Sequence, residues 1–439
     1  TGTLATTGDI TTYPITTTDT NNIGLGTNAV DSITTGDNNT GVGVNVLTAN
    51  TEGHSNTAVG QAALAANTTA SDNTAIGQQS MESNTTGANN VAVGGGALNS
   101  NTTASYNTAV GRSALLANTT ASFNTAVGGL SLTTATTGHS NTAVGYKSLW
   151  VNTTGMYNTS VGHDSLRTHT TGEKNVAVGW NALFSNTTAN LNTAVGSQAL
   201  YANTTGHSNV AIGASSMDAN QNGYQNVAIG RNAATNANGS GFIQNVIIGY
   251  EAAEDLQASE KNVMIGNLAG QSVTTGSQNV MIGNEAGRSS GGNAELFIAR
   301  SNTSNNQAQT WIYGNNSGAC YQGNNSSSWT TTCDERIKKD IVDSPNGLAE
   351  INALKVRNFN YRTQEEITET GFHHCDAAGL QTGVIAQEIE TVLPKAVTED
   401  PNGMKQVNTD PIFWAMVKAI QELKSENDAL KARVTTLEG

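Results

Sequence analysis

The feature that most restricts this chain is a period. Asn56-Thr-Ala-Val-Gly60 returns as Asn73-Thr-Ala-Ile-Gly77, and again at Asn90, Asn107, Asn124, Asn141, Asn158, Asn175, Asn192, Asn209 and Asn226, seventeen residues apart each time. One step of nineteen leads to Asn245, and seventeen resumes at Asn262 and Asn279. Asn22 and Asn39 fit the same frame upstream, and Leu296-Phe-Ile-Ala-Arg300 is a degenerate last copy. A fixed period kept over this length is the signature of stacked repeats.

Each copy reads N-T-A-V-G-x-x-A-L-x-x-N-T-T-G-x-x, here numbered 1 to 17 from the Asn. Position 4 is Val, Ile or Leu, position 8 is mostly Ala or Ser, and position 9 is usually Leu or Met. Helical repeats need roughly 30 residues or more, so two apolar touches in seventeen residues point to strands. Two strands of four or five residues with tight turns are expected in each coil. Gly supplies a positive-φ corner and Asn-Thr-Thr-Gly the other turn.

The expected fold is mainly β, a trimeric β-roll or β-solenoid over residues 22–300, after an N-terminal extension at 1–21. Coils would stack about 4.8 Å apart. Val59 and its equivalents would form one interior column and Leu64 and its equivalents another. The repeated Asn would form a side-chain amide ladder. The small residues at position 8 are expected to let neighbouring chains approach. Late copies carry Val246-Ile247, Val263-Met264 and Val280-Met281 in place of Thr-Ala, and should bury more apolar area. These repeats resemble the left-handed β-roll heads of trimeric autotransporter adhesins and similar repeats in bacteriophage fibres. That resemblance speaks to architecture more than to function.

Composition narrows the function. Net charge is −14 and no basic stripe appears, which argues against nucleic-acid binding. Cys320, Cys333 and Cys375 make no CxxC pair. No apolar run is long enough to span a membrane. The sequence opens on Thr1, so the lack of a targeting segment carries little information. Asn-x-Thr triplets such as Asn67-Thr68-Thr69 read as turn chemistry, not glycosylation sites. His373-His374-Cys375-Asp376 reads as a polar loop, because adjacent residues rarely converge on one metal. No metal and no cofactor is expected. Aromatics recur in register, with Tyr106, Phe123 and Tyr157 just before the repeat Asn, and Tyr146, Trp180 and Tyr250 just after the Gly. Two uses are open for these columns. One is filling between neighbouring chains, which is favoured. The other is stacking against sugar rings.

At Trp329-Thr-Thr-Thr-Cys333-Asp-Glu-Arg-Ile-Lys338 the chain changes character. The 332 residues before Cys333 hold eight Lys or Arg, and the 107 from it onward hold twelve. Residues 301–332 read as neck and linker. Beyond lies an α/β pattern. Gly347–Leu354 suits a short helix and Val356–Arg362 a strand. Gly383–Leu393 begins extended and turns helical. Lys395–Glu399 and Met404–Val407 suit short strands. A long helix over 410–438 ends the chain, with Phe413, Met416, Ile420, Leu423, Asn427, Leu430, Val434 and Leu437 in alternating steps of three and four. That spacing is a coiled-coil seam, whose residue types alone favour two strands.

Cys333-Asp-Glu-Arg-Ile-Lys338, Leu354 through Tyr361, Gly383-Val-Ile-Ala-Gln-Glu388 with Leu393-Pro394, and Val417-Lys-Ala-Ile-Gln-Glu-Leu423 together resemble the endosialidase-type intramolecular chaperone. This is a C-terminal domain of phage tail fibres and tailspikes, and here the match spans residues 333–439. The resemblance implies trimerisation, assisted folding of the preceding β-structure, and self-cleavage before a Ser whose partner is a Lys. It places the cut between Thr332 and Cys333. Cys333 stands in the Ser position and Lys338 in that of the Lys. A thiolate is the stronger nucleophile, so either a Cys–Lys pair cuts once, or the change slows or abolishes cleavage and leaves the folding role. The implied partners are two further copies, a host surface receptor or polysaccharide, and other virion tail proteins, with the protein placed in the virion. The rivals are a bacterial trimeric adhesin and a polysaccharide-degrading spike.

Overall fold

The computed structural model describes residues 21–239, 241–299, 310–314, 320–322, 341–367, 379–399 and 404–438. The chain divides into two compact units, residues 1–329 and 330–439.

The first unit is a parallel β-solenoid. Seventeen short strands, from β1 (Ile23–Leu25) to β17 (Leu296–Ala299), pair in parallel in chain order. Equivalent residues sit opposite one another, as in Thr57 with Thr74, Ala58 with Ala75 and Val59 with Ile76. Sixteen such steps at about 4.8 Å give a stack roughly 75 Å long.

Each coil holds one three-residue strand, not two of four or five. The rest is turn, and the reason lies in the backbone. Positions 7, 9 and 17 are left-handed, for example Ala62 (φ 56°), Leu64 (φ 49°) and Asp72 (φ 61°). That conformation costs about 1–2 kcal/mol per non-glycine residue. Each of these residues donates its N–H to a neighbouring coil, which offsets the cost. Leu64 N bonds Ser80 O at 3.0 Å, Ala62 N bonds Val44 O at 2.9 Å, and Asp72 N bonds His54 O at 3.0 Å. Position 5 must be Gly. At Gly60 φ is 130°, and a Cβ would lie 2.5 Å from the carbonyl oxygen of Gly77.

The interior corrects two sequence expectations. Ala58, not Val59, faces inward, because strand side chains alternate and only the middle residue of three points to the core. Val59 is half-buried on the outside. The Leu64 column is fully buried, as expected. It fills the space opposite Ala58 and leaves room there for little more than a methyl group. Late coils reverse the sizes. Where position 3 becomes Met264 and Met281, position 9 shrinks to Gly270 and Gly287, and a Cβ on either glycine would fall 2.5 Å from a Met sulfur. In the coils that start at Asn245 and Asn262, position 12 adds apolar interior as well, with Leu256 and Val273 in place of the usual Asn. The second correction concerns position 8. Ala63 and its equivalents are buried inside their own coil, so they form no lateral contact surface.

Two amide ladders run through the core. In the first, Asn39 Oδ1 accepts both N–H and Nδ2–H of Asn56 at 3.0 Å, while Asn56 Nδ2 also closes its own coil onto Ala70 O at 2.8 Å. This ladder extends from Asn22 to Asn279. The second uses position 12. Asn67 Nδ2 donates to Asn50 Oδ1 at 2.8 Å and to Ala70 O at 3.0 Å. Asn67 is therefore buried and occupied, consistent with turn chemistry. After the last coil the sheet reverses direction. Strand β18 (Thr310–Gly314) pairs antiparallel with β17, and β19 (Cys320–Gln322) pairs antiparallel with β18, within the segment read as neck and linker.

The second unit contains α1 (Leu348–Ala353), β20 (Arg357–Phe359), β21 (Gln381–Gly383), α2 (Ala386–Val392), β22 (Val397–Glu399), β23 (Lys405–Val407) and α3 (Thr409–Glu438). Strands β20 and β21 pair antiparallel, as do β22 and β23. Its core is small. Ile389, Leu393, Ala396 and Ala415 are buried, with Ile351, Leu354, Val384, Val392, Val397 and Ile412 packed around them.

Candidate functional site

Helix α3 carries two apolar stripes one residue apart, which is a rotation of about 100°. Ile412, Ala415 and Ala419 turn toward their own unit. Glu422, one turn on, accepts the N–H of Leu348 at 2.7 Å at the start of α1. The adjacent stripe is the expected seam. Its apolar members run from Met416, 42 % exposed, to Leu437, 84 % exposed, and Asn427 is exposed as well. Every residue from Leu423 to Glu438 is exposed. A helix with this stripe open to water gains by pairing with other helices.

Around the same core, Arg357 holds Glu388 through two hydrogen bonds, Nη2 to Oε1 at 2.6 Å and Nε to Oε2 at 3.1 Å. The Arg357 guanidinium holds the Glu388 carboxyl below the usual range. Lys405 pairs with Glu390. These pairs tie β20 to α2 and β23 to α2. Thr332, Cys333 and Lys338 lie outside the described residues, as do His373, His374, Cys375 and Asp376. Among the described residues no His, Cys, Asp or Glu cluster is arranged to hold a metal.

On the solenoid, the aromatic residues do align in columns. Position 17 holds Tyr106 and Phe123, stacked at 5.4 Å with planes 3° apart, then Ser140, then Tyr157. Position 6 holds Tyr146, His163 and Trp180 in successive coils, with the first two rings 5.3 Å apart. One column went unread in the sequence although it has the same spacing. At position 10, Arg167 lies 5.4 Å from the ring of Trp150 and 5.3 Å from that of Phe184, and Phe184 stacks on Tyr201 at 5.1 Å. Lys147 sits 4.8 Å from the Trp150 ring. Asp164 pairs with both His163 and Arg167. Where rings stack along the axis, faces turn toward neighbouring coils and edges toward water, so a face opens at the end of a stack or at a gap in it.

The second ladder is interrupted at Ala135 and altered at His169. His169 replaces Asn, bonds Gly172 O through Nε2 at 2.8 Å, and leaves its own Nδ1 and Asn152 Oδ1 without partners. Burial lowers its pKa to about 4, against the hydrogen bond to the Gly172 carbonyl, which acts the other way.

No solved structure matches the chain. Residues 333–398 match the family described as chaperone of endosialidase. The match starts at Cys333 and ends inside β22, so it takes in α1 and α2 and stops short of α3. A chaperone-of-endosialidase domain thus follows a parallel β-solenoid in this chain.

Proposed function

We propose that the chain is a trimeric tail fibre or tailspike of a bacterial virus. Its solenoid meets the host surface, and its C-terminal domain drives folding and trimerisation. The observation that carries this reading is the order along the chain, a parallel solenoid and then, after β18 and β19, the matched chaperone domain. Near-identical coils present many equivalent registers, and a single start point removes that ambiguity. The open stripe on α3 supports association with further copies. The small residues of position 8 give it no support, since they face inward. Cys333 and Lys338 supply a single-turnover cut after Thr332.

A denaturing gel with intact mass, run beside Lys338→Ala, tests the cut. A fragment ending at Thr332 that disappears in the variant supports it, and an uncut chain in both leaves the folding role alone. Fluorescently labelled chain applied to a panel of intact bacterial strains tests attachment. Binding to at least one strain is expected, and binding to none contradicts it.

A further inference from the structure

The position-17 column breaks at one rung, and the break is the most site-like feature of the solenoid. This backbone position is left-handed in every coil, and most coils fill it with small or polar residues such as Asn38, Ser55, Asp72 and Asn89. Tyr106, Phe123 and Tyr157 carry bulky rings there at φ of 61°, 64° and 59°. A bulky residue at positive φ is unusual, and Phe123 is in addition 61 % exposed. The fold requires neither cost, since the same turn forms with Ser140. Exposed rings at a position whose turn forms equally well with Ser point to a role at the surface.

Ser140 leaves the lower face of Phe123 open. Tyr157 lies two coils from Phe123, roughly 10 Å away, which is the room of one missing ring. A groove of about 390 Å³ fills this gap, lined by Phe123, Ser122, Thr137, His139, Ser140 and Tyr157. His139 meets the Tyr157 ring edge-to-face at 5.3 Å, and its Nδ1 is 3.1 Å from Ser140 Oγ. The groove thus has one flat apolar wall, a second ring opposite, and a rim of hydroxyls and imidazole.

We infer that this gap binds one pyranose ring of a surface glycan, an inference that rests on the attachment reading above. The C–H face of the sugar replaces the missing rung against Phe123, and its hydroxyls meet Ser122, Thr137, His139 and Ser140. A side chain from a neighbouring copy suits the gap less well. Packing of identical solenoids repeats at every coil, whereas the rings occupy only a short stretch of the column, which continues as Lys174, Leu191 and Ser208.

The test uses the full chain on a printed array of pyranose oligosaccharides, with three variants. Ser140→Tyr supplies the missing ring from the chain itself, in a backbone conformation that Tyr already occupies nearby. Phe123→Ser removes the wall, and Leu191→Ser changes an exposed residue of the same column two coils beyond Tyr157. The wild-type chain should bind at least one oligosaccharide. S140Y and F123S should each weaken it by about tenfold or more, with L191S unchanged and circular dichroism the same in all four. Array binding that survives S140Y, or no array binding by the wild type, overturns the slot. A changed sedimentation coefficient in S140Y overturns it in favour of chain–chain packing. The same proteins are applied to intact cells. Cell binding that S140Y leaves intact removes the slot and preserves the attachment reading, whereas wild-type failure on cells is failure of that reading.

Discussion

Leu64 and Leu430 are the same residue in opposite situations. Leu64 is fully buried in a coil built from its own chain, while Leu430 on α3 stands 59 % exposed. The solenoid closes its core around each chain, with apolar columns at positions 3, 8 and 9 and amide ladders at positions 1 and 12. Those columns and ladders close within one chain. The helix does the reverse and leaves a whole stripe to water. The difference assigns two jobs. The solenoid needs a unique place to begin, because each of its repeats fits nearly as well against any other. The C-terminal unit provides an unrepeated sequence and an adhesive helix. The late coils add local distinction. They include the nineteen-residue step with buried Phe242 and the exchange of Ala58–Leu64 for Met264–Gly270.

The largest effect should come from cutting the amide ladder. Asn124 donates its N–H to Asn107 Oδ1 at 2.9 Å and its Nδ2 to Gly138 O at 2.9 Å, and its Oδ1 accepts the Asn141 N–H at 2.9 Å. Asn124→Ala keeps the bond to Asn107 but strands Gly138 O and the Asn141 N–H, and should cost about 3–5 kcal/mol by thermal unfolding. Leu430→Ala, on the open stripe, should change the stability of a single chain by less than about 0.5 kcal/mol. Similar losses for both would break the contrast.

The next effect is a pH dependence confined to the solenoid. His169 is neutral when folded, with a pKa of about 4 against 6.5 when unfolded. Its contribution is complete above the unfolded value and declines as pH falls from 6.5 to 4, where about 3 kcal/mol has gone. His169→Asn restores the ladder rung. It should abolish this step and raise neutral-pH stability by about 1 kcal/mol. Acid melts that remain identical in the two proteins would contradict the assignment.

The smallest effect sharpens the comparison within the solenoid. Gly270→Ala forces a Cβ against Met264 Sδ at a φ of 61° and should cost about 1–2 kcal/mol. Met264→Ala with Gly270→Leu recreates the early-coil pairing and should recover most stability lost by either change alone. Additive losses would show that the two positions do not share one volume.

Much of this was legible before any coordinates. The period, the Gly corner, the Leu64 column, the first ladder and the order of elements after Gly347 all follow from residue spacing. The inward residue of the strand was not, because hydropathy favours Val59 over Ala58 while available volume decides the matter. Left-handed Leu64 was hidden too, since leucine gives no signal for positive φ. At the surface, the 17-residue arithmetic located Tyr106, Phe123, Tyr157, Tyr146 and Trp180. It also contained Trp150, Phe184 and Tyr201, where an intervening arginine disguised the column. The Ser140 gap became visible only once stacking showed which ring faces were covered. Thr332, Cys333 and Lys338 lie outside the described residues.

The division of labour is tested most directly by sedimentation of the full chain beside Ile420→Asp/Leu423→Asp. Both residues are exposed on a single chain, so the change leaves its own unit packed. The account predicts three chain masses for the wild type, and for the variant a sharp loss of soluble, cooperatively melting solenoid. A variant that accumulates as well-folded single chains in the same yield would contradict it.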